Sequence, residues 1–192
     1  MPDAAVSRWS RGSPISPPIM RSLRQLNCGF LDLQAFAAGR FGGLSTAQKE
    51  AIANCPYALF DLRFHDDGYW QRRLQSAQAW QVADTPPADP QIAAFAQLAL
   101  FYAWHVAATA RLSARLLLGM HEATAATLGG ITLDRLPALA LSEAVHLSAR
   151  WSHCDAYWQA LANAAARADR VRLRRVQLYG LQLAAAAHLP WP

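Results

Sequence analysis

Apolar residues recur at spacings of three and four along most of the chain, the period of a helix with one buried face. Leu23, Leu26, Phe30, Leu33 and Phe36 make one such stripe, starting near Ser22 and ending at Gly39, Gly42 and Gly43. Ser45 stands where an N-cap belongs. Gln48, three residues on, completes a capping-box spacing for a second helix running to about Asn54. Pro56 ends or kinks it, because the residue before a proline is pushed towards extended geometry. Tyr57, Leu59, Phe60, Leu62 and Phe64 then form a dense apolar run around Asp61 and Arg63, read as helix with a short strand as the alternative. Tyr69 and Trp70 lie on a further helix reaching about Trp80.

Residues 82–90, with three prolines and two aspartates, read as a linker. Beyond it residues 91–118 form one long apolar helix, uncharged as far as Ala110. It has the length of a membrane span, but it is rich in alanine and interrupted by Gln97 and His105, so a buried helix and no membrane are expected. Glu122 suits the positive end of the next helix, and Gly129-Gly130 is expected to stop it by taking the left-handed conformation. Thr132 is placed to cap a helix whose buried stripe is Leu133, Leu136, Leu139, Ala140, Ala144 and Leu147. Pro137 requires that helix to start late, near Leu136, or to have a distorted first turn. A helical tail follows Trp151, with breaks expected at Gly180 and Pro190.

The expected fold class is therefore all-α, in four parts: a disordered basic, proline-rich arm (1–21), a helical unit (22–81), the linker (82–90) and a second helical unit (91–192). At 192 residues and 53% hydrophobic, the chain can bury a substantial core. The net charge is +5, but 17 of the 18 basic residues are arginine and Lys49 is the one lysine. That bias suits a GC-rich genome, so the basic balance is a weak pointer to nucleic acid. Three scattered cysteines and no apolar leader lead to an expectation of a reducing cytoplasm.

The two units resemble each other. With Leu44 placed on Ile131, Ser45 falls on Thr132, Ile52-Ala53 on Leu139-Ala140, Phe60 on Leu147 and Arg63 on Arg150. After one extra residue Asp67 meets Asp155, and Tyr69-Trp70 meets Tyr157-Trp158. A duplicated unit of this kind packs as a homodimer would, about a pseudo-twofold axis. Arg63, Phe64, Trp70, Arg150, Trp151 and Trp158 are accordingly the expected pairing and packing residues.

Leu118-Gly119-Met120, Glu122, Ile131-Thr132-Leu133, Leu139-Ala140 and Arg150-Trp151 carry a resemblance to the FlhD family, the D subunit of the bacterial flagellar transcriptional activator. In the first unit Leu26-Asn27, Phe30-Leu31, Leu44-Ser45 with Gln48, Ile52-Ala53 and Leu62-Arg63-Phe64 are similar to other parts of the same family. That unit lacks the Leu-Gly-Ile helix, and the second has Asp134-Arg135 where the family tends to have Pro-Gln. The resemblance implies tandem FlhD-like units packed as an intramolecular pseudo-dimer. It implies transcriptional regulation through a protein partner, an FlhC-like zinc-binding subunit, with DNA reached through it; a scaffold that keeps the fold without DNA binding is the alternative. Further pairing into a homo-oligomer stays open.

Residues 118–151 have the helix-turn-helix outline that docks in a major groove elsewhere. Asp134, Arg135, Glu143, His146 and Arg150 leave the second helix near neutral, so packing is expected instead. The five arginines between 167 and 175 are different. Arg167, Arg170 and Arg174 are read as one helix face with Arg175 beside it, and Val171, Leu173, Val176 and Leu178 supply apolar contact. This is the expected contact for an acidic partner or a DNA backbone. His65-Asp66-Asp67 and His153-Cys154-Asp155 lack the paired spacing of a tetrahedral metal site, and Asp67 and Asp155 are read as helix caps. Trp70, Trp104, Trp151 and Trp158 are read as core residues whose indole N–H groups seek acceptors. No catalytic constellation or cofactor motif is found, so a non-enzyme is expected.

Overall fold

Two consecutive prolines start the first helix. Pro17 and Pro18 occupy its first turn, where a missing N–H costs nothing, so α1 spans Pro17–Asp32 and takes in residues assigned above to the arm. The computed structural model describes residues 15–36, 41–76 and 89–186. α1 buries Ile19, Leu23, Asn27, Phe30 and Leu31. The next helix, α2 (Thr46–Ala53), is held by the capping box that Ser45 and Gln48 promise.

Residues 57–64 are not helical. Phe60–Asp61 is a short strand, β1, and Tyr57, Leu59, Phe60, Leu62 and Phe64 are all fully buried. A run with apolar side chains on both faces suits a buried extended segment as well as a helix, and here tertiary pairing decides. α3 follows at Asp67–Gln75, capped by Asp66 rather than Asp67 and ending short of the expected Trp80; Ser76 is already extended. Most of the expected linker lies outside the described residues, but its last residues belong to the next helix. Asp89 caps α4 (Pro90–Thr109), and Pro90 is the first residue inside it.

α4 is long and apolar enough to cross a membrane by length and composition, yet half of its most apolar stretch is buried inside the protein. It packs on α1 in antiparallel sense: Phe30 meets Phe95, and Tyr102 donates to the Ile19 carbonyl. It does not run on to Leu118. Ala110 adopts an extended φ of −150°, and a separate α5 (Arg111–Leu118) leaves at that bend. Gly119 closes α5 in the left-handed conformation. α6 (Glu122–Gly129) ends without one, since Gly130 is right-handed at φ −87°. Gly129 serves contact instead, because a Cβ there would lie 2.9 Å from the Ala107–Ala108 backbone of α4.

After Thr132, which makes no side-chain cap, one 3-10 turn leads into α7 (Leu136–Glu143), so the helix does start late to accommodate Pro137. Leu136, Leu139, Ala140, Ala144 and Leu147 are buried as expected, whereas Leu133 on the 3-10 turn is exposed. β2 (Ser148–Ala149) pairs antiparallel with β1. α8 (Asp155–Ala166) is capped by the Cys154 backbone without a side-chain bond, so Asp155 is not its N-cap. The tail then breaks at a place with no sequence mark: Ala168 takes φ 53°, and α9 starts at Arg170 and runs to Ala186. Pro190 lies outside the described residues.

Among the described residues the fold is all-α apart from the β1–β2 pair, and one hydrophobic core holds residues from both sides of the linker. α9 runs unbroken through Gly180. The glycine is required by packing, since a Cβ at 180 would lie 2.0 Å from the Tyr57 hydroxyl oxygen. That hydroxyl donates to the Gln177 carbonyl at 3.0 Å and so accepts from Tyr157, also at 3.0 Å. Glycine-to-alanine in mid-helix ordinarily gains about 1 kcal/mol. Here overpacking costs about 1–3 kcal/mol, so Gly180→Ala is expected to lower the urea midpoint; a raised midpoint would contradict the docking of α9 on Tyr57.

Candidate functional site

The β1–β2 register has a particular centre. Phe60 pairs with Ala149 and Asp61 with Ser148. In the self-alignment Asp61 falls on Ser148, so the strand pair is centred on equivalent residues. One flanking bond continues it, Arg150 N donating to Leu59 O at 2.9 Å, while Ala58 N turns instead to Leu117 O in α5 at 2.8 Å.

Beyond each strand the chain turns in the same way. The Trp70 indole donates to the Arg63 carbonyl at 3.0 Å, and the Trp158 indole to the Arg150 carbonyl at 3.0 Å. Each turn has one left-handed non-glycine residue, but one place apart in the self-alignment: Arg63 at φ 58° and Trp151, the residue after Arg150, at φ 51°. Each guanidinium lies over a ring, Arg63 over Tyr69 and Arg150 over Trp151. The environments differ. Arg63 is partly exposed and paired with Asp66 at 2.6 Å, while Arg150 is buried and donates to the Leu117 carbonyl at 2.9 Å. Burial pulls the Arg150 guanidinium down to about 10, against the raising influence of Asp61, so it stays charged at neutral pH. Phe64 and Trp70 stack in the core; Trp151 is half-buried between Tyr57 and Tyr157. Trp104 is half-buried and donates to the Ile131 carbonyl.

Helices cross between the halves as well. α2 packs on α8, and Gln48 Nε2 donates to the Ala166 carbonyl. On the other side α3 meets α7 through Glu143, which accepts from the Tyr69 hydroxyl at 2.6 Å and from Arg73 Nε at 2.7 Å. Asp67 accepts from the backbone N–H and hydroxyl of Thr124, capping α6 from another helix. Sequence reasoning missed Glu143, because a lone glutamate on a helix reads as surface.

A cavity of about 430 Å3 opens beside the strands, lined by Asp61, His65, His121, Ser152 and His153 among others. Among the described residues no three His, Cys, Asp or Glu side chains come together as metal ligands. His65 Nδ1 lies 3.0 Å from Asp61, and that bond raises the imidazole above its ordinary 6.5 against a partial loss of solvation. The raised value means a contribution to stability present in full below 6.5 and lost as pH rises through the folded value. The side chain is largely exposed, so the contribution is small. His65 is expected to titrate above 6.5 by NMR and to fall back in Asp61→Asn; an unchanged value in the variant would refute the assignment. Cys55 is buried, and burial pushes its thiol up to about 11, too high for a nucleophile at neutral pH.

The arginines divide differently from the sequence expectation. Arg167 is the C-cap of α8 and is separated from α9 by the left-handed Ala168, so it does not share a face with Arg170 and Arg174. Arg170, Arg172, Arg174 and Arg175 are all exposed in the first two turns of α9. Leu173 and Val176 point inwards, whereas Val171 and Leu178 are 66% and 51% exposed. Tyr179 and Leu181, which sequence reasoning did not single out, extend the exposed apolar surface. A groove of about 600 Å3 between α8 and α9 runs beside it, with Ala156 and Ala160 on one wall and Arg172, Arg175 and Tyr179 on the other.

No family model matches the chain, and no curated protein or solved structure matches it.

Proposed function

We propose that the protein is a non-catalytic transcriptional regulator or co-regulator of the cytoplasm, built as two FlhD-like units in one chain and working through a protein partner. The observation that carries this reading is the strand pairing centred on Asp61 and Ser148, the same position of the two units. A register that places a residue opposite its own equivalent is what a homodimer makes across a twofold axis. The paired indole-to-carbonyl bonds of Trp70 and Trp158 support the same arrangement. The packing of α2 on α8 and the bonds from Tyr69 and Arg73 of α3 to Glu143 of α7 also tie each half to the other. The family resemblance then supplies the role of a pseudo-dimer that binds a zinc-containing subunit, with DNA reached through that subunit. The near-neutral α7 supports partner binding over direct groove reading.

The test is a mobility-shift assay on duplex DNA with the purified protein, alone and with an FlhC-like zinc-binding subunit. A salt-dependent shift that requires both proteins is the expected result. No shift in either case removes the regulatory reading.

A further inference from the structure

Resting on the partner-binding reading, we propose that the outer face of α9 is the docking surface for an acidic amphipathic helix of a protein partner. Val171 and Leu178 are seven residues apart, on one line along the outside of the helix. Arg170 and Arg174 flank it on one side and Arg175 on the other. A ridge of apolar residues between cationic borders is the complement of a helix with leucine-like residues at i, i+3 and i+7 and carboxylates at its edges.

Three observations select that occupant. Among the described residues no carboxylate pairs with Arg170, Arg172, Arg174 or Arg175. These arginines also stand in the first two turns of a 17-residue helix, where positive charge opposes the helix dipole and only part of that is offset by the Asp169 carboxylate, which accepts from Arg172 N at 2.9 Å. Helix stability disfavours them there; an anionic partner favours them. A second copy of this chain is a poor occupant, because α9 against α9 sets arginine against arginine. Duplex DNA gives no account of the apolar ridge, whose largest members are half to two-thirds exposed.

The probe is a fluorescent peptide of about three heptads, with Leu at the seam and Glu at the flanks, beside the same peptide carrying Lys for Glu and a duplex DNA. Anisotropy with the full chain is expected to show the Glu peptide binding roughly tenfold or more tighter than the Lys peptide. Reversal of charge in Arg170→Glu/Arg174→Glu/Arg175→Glu, or removal of the ridge in Val171→Ser/Leu178→Ser, is expected to weaken it by roughly tenfold. All five positions are exposed, and unchanged helix content by circular dichroism certifies the fold. Equal binding of the two peptides, no binding, or tighter binding of DNA that ignores the serine substitutions overturns the proposal. Carrying the charge-reversed protein through the mobility-shift assay separates the two readings. A complex that still forms with the zinc-binding subunit removes the α9 site and leaves the regulator; a wild-type chain that binds the Glu peptide but never shifts DNA does the reverse.

Discussion

Replacing Asn27 by alanine is expected to destabilise the protein by about 3 kcal/mol or more, since three buried backbone groups lose their partner and each orphan costs about 1–3 kcal/mol. The side chain is fully buried in α1. Its Nδ2 donates to the carbonyls of Ala53 at 3.2 Å and Tyr57 at 3.0 Å, and its Oδ1 accepts from Leu59 N at 2.9 Å. Those bonds terminate α2 and hold the entry to β1 extended. Asn27→Asp keeps the acceptor but loses both donors and buries a charge, so it is expected to be no better tolerated. Urea unfolding followed by helix ellipticity measures both. A loss below about 1 kcal/mol, the net worth of one ordinary hydrogen bond, would mean that Asn27 does not organise the segment.

Glu143→Ala is expected to cost about 3 kcal/mol, the lower end of the range for removing one partner of a buried pair. The carboxylate side chain is 1% exposed and Arg73 20%, so Arg73 regains some water when the glutamate is gone. Burial and then the Glu143 bond push the Tyr69 phenol well above its ordinary value, which keeps it a donor. In a double-mutant cycle, Arg73→Met with Glu143→Ala is expected to cost less than the sum of the two single changes. Additive losses would show that α3 and α7 are not joined through this pair.

Local rules were legible where the chain obeys them alone. The Ser45–Gln48 capping box and the late start of α7 before Pro137 depend on neighbours in sequence, and both are present. The extended shape of residues 57–64 was not legible. It is set by Asn27, by Leu117 and by strand β2, none of them local, on a run with no polar face to show a period. Gly180 reads as a helix break and is instead a contact with Tyr57, 123 positions earlier. The arginine face was half legible: α9 presents Arg170, Arg174 and Arg175 together, but the left-handed turn at Ala168 removes Arg167, and alanine gives no warning of such a turn.

The proposed function rests on the proposal that one structural unit occurs twice in this chain and pairs with itself about Asp61 and Ser148. Because Arg150 N bonds to Leu59 O, the Phe60–Ala149 position lies between hydrogen-bonded positions, where opposed Cα atoms approach to about 4.5 Å. The account predicts an Hα–Hα nuclear Overhauser contact between Phe60 and Ala149, still present when labelled chains are diluted into unlabelled ones. A contact in another register, or one that dilution abolishes, would contradict it.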